Sequence, residues 1–196
     1  MSNRRAHRPS VRIVPTLGPG YSANTFRRTI AESVAAPTRE RQTVREATVG
    51  EARATQPGRL LVRLIKAGIS MNGNAWSPAV LQDAARRKVW GRGCHTFADH
   101  APETEERDYP SGTVKNLAGV LTEDARWDEA TQSLVAEVRL FAPWRESIAD
   151  MAEAKAIGMS VRAWVTGGPG TYENQEAWVV DNIEEGRSVD FVPVPA

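Results

Sequence analysis

Cysteine and histidine are both scarce in this chain. Among 196 residues there is one cysteine, Cys94, and three histidines, His7, His95 and His100. A single thiol excludes an internal disulfide framework and any cysteine-rich zinc site. His95 and His100 with Asp99 make too thin a ligand set for metal hydrolysis, so neither a metal nor another cofactor is expected. No apolar run is long enough to cross a bilayer, and no apolar signal-peptide centre stands near the N-terminus. The expectation is a soluble protein of a cytosol-like compartment, without a membrane partner. Gly167-Gly168-Pro169-Gly170 lacks the lysine and the following helix of a phosphate loop, and there is no dinucleotide fingerprint.

What is present is unevenly spread. Hydrophobic residues make up 41% of the chain and six are tryptophans, enough for a real core. Residues 1–56 carry ten arginines, no lysine and four glutamates, whereas residues 57–196 carry 15 basic and 20 acidic side chains. This split predicts an arginine-rich arm over 1–56, disordered or weakly helical, on a mildly acidic domain over 57–196. Residues 38–54 have the composition of a polar helix without a wide apolar stripe. Arginine clusters attract phosphate, but no aromatics interleave with them, so nucleic acid is not an expected partner.

Within the domain, residues 59–66 (RLLVRLIK) read as a central strand, followed by a loop over 68–74. Ser77-Pro78 marks a helix start running to about Val89. Residues 94–100 form a strand and its exit, and residues 101–111 a polar, acidic loop. Strands follow over 113–123 and 133–141, joined by a hairpin connection. Pro143 opens a second helix carrying Trp144, Ile148 and Met151 at core spacing. Beyond it, Gly158-Met159-Ser160-Val161-Arg162-Ala163 alternates, with Met159, Val161, Ala163 and Val165 on one face and Ser160, Arg162 and Trp164 on the other. The glycine-rich segment 167–170 reads as a loop, and residues 177–183 and 188–194 as the last strands. Six or so strands and two helices indicate an α+β or mostly-β, barrel-like domain.

Ser160 is a nucleophile candidate, and Arg162 on the same face could stabilise an oxyanion, directly or through a fixed water. The plain alternative is a strand serine beside a solvated arginine. A serine hydrolase in this domain must take its base from His95 or His100. His95 shares a strand face with Asp99, while His100 stands at the strand end beside the polar loop and is favoured. Asp190, the acid of an apolar strand, leads as the third member, with Asp99 as a rival. A structural ion pair of Asp190 with Arg187 or Arg162 is as good a reading. Cys94 with His100 is a thiol alternative disfavoured by their shared strand face.

Asp99-His100 with its acidic, proline-containing loop and Ser111-Gly112-Thr113-Val114, then Ile157-Gly158-Met159-Ser160-Val161-Arg162-Ala163, then Arg187-Ser188-Val189-Asp190-Phe191-Val192 resemble one family. It is the capsid maturation (prohead) proteases of tailed bacteriophages, notably those of actinobacteria, related in fold to the herpesvirus assembly proteases. The resemblance covers about residues 57–196. It implies a compact β-barrel core with packed helices, Ser160 as nucleophile, His100 as general base, Arg162 near the oxyanion site, and Asp190 as a variable third member. The implied substrates are the scaffold region of the major capsid protein, other procapsid components and the protease itself. They would be cut inside the assembling procapsid in the host cytoplasm. A homodimer is also implied, because the herpesvirus enzymes act as dimers. The arm then reads as a segment targeting the protease into the procapsid, where family members later remove themselves by self-cleavage, and terminal Ala196 is compatible with cutting beside small residues. Three other readings are carried forward: a non-catalytic procapsid or scaffold interaction protein of the same fold, a cellular esterase or peptidase, and nucleic-acid binding by the arm.

Overall fold

The computed structural model describes residues 38–48 and 53–193. Among them are eleven strands and three helices. In chain order these are β1 (Glu40–Thr48), β2 (Arg53–Gln56), β3 (Arg59–Lys66), β4 (Gly68–Ile69), β5 (Asn74–Trp76), α1 (Pro78–Arg86) and β6 (His95–Phe97). They continue with α2 (Glu103–Asp108), β7 (Leu117–Leu121), β8 (Arg126–Asp128), β9 (Ser133–Leu140), α3 (Ala142–Glu153), β10 (Ile157–Tyr172) and β11 (Gln175–Pro193). One sheet has the order β1-β10-β11-β5-β4, and the other β2-β3-β9-β7-β6 with β8 paired to β9. Where β6 ends, a parallel bridge from Ala98 to Phe191 ties the two sheets together through main chain. The fold is mostly β, as the sequence indicates, but the expected barrel does not close.

The core lies where the inward faces of the two sheets meet. Met159, Val161, Ala163 and Val165 are each at most 1% exposed, which bears out the period-two reading of β10. From the other sheet come Leu60, Val62 and Leu64 of β3 and Leu134, Ala136 and Val138 of β9. Each fully buried Val or Leu contributes about 1.5–3 kcal/mol. A register shift between Arg63 and Ile65 lets Leu64 and Ile65 both turn inward. The Ser77 hydroxyl caps α1 by accepting from the Val80 N–H at 3.2 Å, and α1 buries Leu81 and Ala84. The helix stops before Val89 because Lys88 has φ 58°. In α3, Ile148 is fully buried while Met151 is 36% exposed, so the expected core stripe narrows to its centre.

Two expectations are corrected. Residues 38–54 do not form a polar helix. Glu40–Thr48 pairs with β10 from Glu40↔Gly167 to Thr48↔Met159, and Arg53–Gln56 pairs with β3. The open edge of a long strand needs a partner for its N–H and C=O groups. Val44 and Glu46 turn inward on the alternate positions, at 3% and 1% exposure. The folded domain therefore takes in part of the expected arm, and residues 1–37 lie outside the described residues. The second correction concerns segment 167–170, which is strand rather than loop. β10 and β11 form one long hairpin whose two-residue turn, Glu173-Asn174, has φ 50° and 64°, the left-handed pair that matches strand twist.

Glycine is required in that hairpin by contact. A Cβ on Gly167 would lie 2.2 Å from the Val179 carbonyl oxygen and 2.6 Å from the Trp178 ring. Gly167→Ala is expected to cost about 1–3 kcal/mol through overpacking. Val114→Ala, at a position 86% exposed, should stay within about 0.5 kcal/mol. Urea unfolding measures both, and equal midpoints would contradict this register.

Candidate active site

The β10–β11 ladder sets Ser160 directly opposite Asp190 and Arg162 opposite Ser188. Directly opposed residues send their side chains to the same face, here the face away from the core. His100 reaches that face from the other sheet. Ala98 bridges Phe191, the neighbour of Asp190, and the Asp99 N–H donates to the Phe191 carbonyl at 2.8 Å. Asp99 then turns the chain with φ 76°, and its Oδ1 accepts the His100 N–H at 2.8 Å. Aspartate tolerates this left-handed conformation better than most residues, because its short side chain bonds locally.

The imidazole is thereby placed between the two strand residues. His100 Nδ1 lies 2.7 Å from Asp190 Oδ2, and His100 Nε2 lies 2.7 Å from Ser160 Oγ. With an ionised carboxylate, the tautomer satisfying both contacts donates Nδ1–H to Asp190 and accepts the serine hydroxyl at Nε2. The Ser188 hydroxyl donates a second bond to Asp190 Oδ2, at 3.1 Å. Asp190 is 1% exposed, and its Oδ1 has no partner among the described residues. A hydroxyl, an imidazole and a buried carboxylate in this order carry the wiring for base-assisted nucleophilic attack.

Arg162 is also enclosed, at 3% exposure, rather than solvated. Its Nη1 lies 3.4 Å from Glu106 Oε1 on α2, and its Nε is unpartnered among the described residues. Neither Arg162 nor Arg187 pairs with Asp190, whose partner is His100. Arg162 and Asp190 line a cavity of about 10 Å³ that also involves Asp99, Glu105 and Asn116, room for roughly one water molecule. Burial alone would raise the Glu106 pKa. The hydrogen bond from Arg45 and the charges of Arg162, Arg45 and Arg187 outweigh it and lower the pKa below the usual 4.5, so the carboxylate is ionised at neutral pH.

The remaining candidates separate clearly. His95 is exposed and packs edge-on against Phe97, with ring centroids 6.0 Å apart. Asp99 supports the backbone entering His100 and does not contact the ring within ion-pair distance. Cys94 is no thiolate candidate: burial, then the Asp190 charge, push its thiol up to about 12. No group of three or more His, Cys, Asp or Glu that could hold a metal ion exists among the described residues. Among those residues, no helix is long and apolar enough to cross a membrane.

Sequence reasoning missed Glu106. Three glutamates crowd residues 103–106, and nothing in their spacing singles one out. The choice is made by arginines arriving from β1, β10 and β11. Nor does the sequence indicate the enclosure of Ser160, which is 2% exposed. Period two places a side chain away from the core but does not show that residues 98–116 cover the opposite face.

A structural comparison adds the fold-level finding. The structure of the bacteriophage T4 capsid assembly protease, gp21, matches at a TM-score of 0.52 and 13% sequence identity. The match covers 77% of this chain and 98% of that one. The chain has the fold of a phage capsid assembly protease. At this identity the likeness concerns the fold alone, and it spans nearly all of the T4 protein. No protein-family model and no curated protein sequence matches the chain.

The Cys94 environment is directly testable. At about pH 8 the native thiol should react with iodoacetamide roughly a thousandfold more slowly than in the urea-unfolded chain, following the difference in thiolate fraction. Equal rates would show that burial and the Asp190 charge do not hold back the thiolate.

Proposed function

We propose that the chain is a serine endopeptidase that matures phage heads. Its substrates are the scaffold region of the major capsid protein, other procapsid components and the protease itself, cleaved inside the assembling procapsid in the host cell. The observation carrying this reading is the unbroken hydrogen-bonded series Ser160–His100–Asp190, with both imidazole contacts at 2.7 Å. The capsid-protease fold supports the substrate class, and the three sequence motifs support kinship with the actinobacteriophage enzymes and, more distantly, the herpesvirus assembly proteases.

In the reaction, His100 Nε2 takes the Ser160 proton as Oγ bonds to the scissile carbonyl carbon. The carbonyl electrons move onto oxygen, and Arg162 supplies positive charge near that developing oxyanion. The imidazolium, held by Asp190, returns its proton to the leaving amine as the C–N bond breaks. Water then attacks the ester with His100 again as base, releasing the acid and restoring Ser160. The peptide approaches along the imidazole, whose side chain is 17% exposed. Ser160 itself is 2% exposed, so the site must open locally beside the imidazole for the serine to be reached.

Co-expression with the major capsid protein tests this reading. Ser160→Ala should abolish cleavage at a stability cost of about 1 kcal/mol, that of one hydrogen bond. His100→Ala and Asp190→Asn should each lower turnover about 10⁴-fold or more, by loss of the base and of its tautomer. His95→Ala should process normally. Continued processing by Ser160→Ala would falsify the assignment. The enclosure of Ser160 is the observation favouring a second reading, a non-catalytic procapsid component of the same fold. Wild-type protein that leaves capsid protein intact and is not labelled by a fluorophosphonate would select it.

A further inference from the structure

The arginine cluster around Glu106 plays no part in the proton transfers above. Glu106 stands on the short helix α2, six residues after His100. Its carboxylate faces three guanidinium groups from three neighbouring strands: Arg45 of β1 at 2.5 Å, Arg162 of β10 at 3.4 Å and Arg187 of β11 at 3.5 Å. Arg45 and Arg162 are direct cross-strand partners, and Arg187 adjoins Ser188, the partner of Arg162 on the other side. Like charges opposed across a ladder repel, so this arrangement depends on the anion among them.

The three arginines do not depend on it equally. Arg45 and Arg187 keep 34% and 18% of their side chains exposed. They also donate to main-chain carbonyls, Arg45 to Ala101 at 3.4 Å and Arg187 to Pro110 at 2.5 Å. The Arg162 side chain is 4% exposed, and Glu106 is the acid within 4 Å of it among the described residues. Without the carboxylate, the outer two retain water and carbonyl oxygens. Arg162 becomes a buried cation without compensation, the costliest way to break an ion pair.

We propose that Glu106 is a positioning residue for Arg162, fixing the guanidinium on the Ser160 face of β10. This rests on the serine-hydrolase reading of the same site.

The test is the labelling kinetics of the full chain with a fluorophosphonate, with maximal rate and half-saturating concentration measured separately. In that reaction Ser160 Oγ bonds to phosphorus as the P–F bond breaks, the serine proton passes to His100, and fluoride leaves. Glu106→Gln should lower the maximal rate about 10–100-fold, somewhat less than outright loss of an oxyanion donor, with half-saturation little changed. Glu106→Asp should recover part of the rate. Glu106→Gln in an Arg162→Met background should cause no further loss, because both changes remove the same interaction. Glu137→Gln, which breaks the Arg59 ion pair in the other sheet, should label as wild type.

Unchanged labelling in Glu106→Gln, or losses that multiply in the double variant, would overturn the proposal while leaving the hydrolase reading intact. A wild-type protein that does not label would overturn the hydrolase reading and this inference with it. Stability gives an independent readout should Glu106→Gln fold poorly. The double variant should have a higher urea midpoint than Glu106→Gln alone, because the uncompensated cation is gone. A lower midpoint would contradict the coupling.

Discussion

The site depends on one register. In the β10–β11 ladder Ser160 opposes Asp190, and slipping either strand by one residue would turn its side chain into the core. Alternation fixes that register with Met159, Val161 and Ala163 on one strand and Val189 and Phe191 on the other, all nearly inaccessible to solvent. The hydrophobic pattern that builds the core therefore also aims the polar residues of the opposite face. Gly167, where any side chain would strike Val179 or Trp178, allows the hairpin to continue at close range.

The imidazole is the element that the ladder alone does not supply. It arrives from the second sheet, and its placement is secured by backbone more than by side-chain packing. The Ala98–Phe191 bridge, the Asp99 N–H bond and the left-handed turn at Asp99 fix the chain within two residues of His100. The main-chain link between the sheets is thus also the point where the site is assembled. An open pair of sheets suffices, because the joining corner lies beside Asp190. Enclosure follows from the same construction: residues 98–116 bring His100 to Ser160 and Glu106 to Arg162, and in doing so cover both strand residues. A buried carboxylate and a buried guanidinium are each tolerable here because a partner of suitable charge or hydrogen-bonding capacity is delivered by that segment.

Much of this was legible in the residues. The alternation through Ser160, the strand over 59–66 and the Ser77 cap are local patterns, and each reappears in the fold. With few histidines, His100 could be singled out by its place at a strand exit, and Asp190 by its apolar neighbours. The parts that escaped depend on partners distant in sequence. Polar alternation with Val44 as its one large apolar residue looks the same for an edge strand as for a solvated helix, until the open edge of β10 is known. Glycines in segment 167–170 signal a loop when read alone and close strand contact when read against Val179. Glu106 is distinguished from its acidic neighbours by three arginines that lie 61, 56 and 81 positions away in the chain.

Catalysis at this site turns on a direction of hydrogen bonding: Ser160 donates to His100, and His100 donates to Asp190. Nitrogen-15 NMR of the imidazoles at alkaline pH reads this directly, and with three histidines in the chain the assignment is tractable. His100 should be held with its proton on Nδ1 and a bare, accepting Nε2, and Asp190→Asn should disturb this state. A His100 protonated on Nε2, or exchanging freely between tautomers in the wild-type protein, would contradict it.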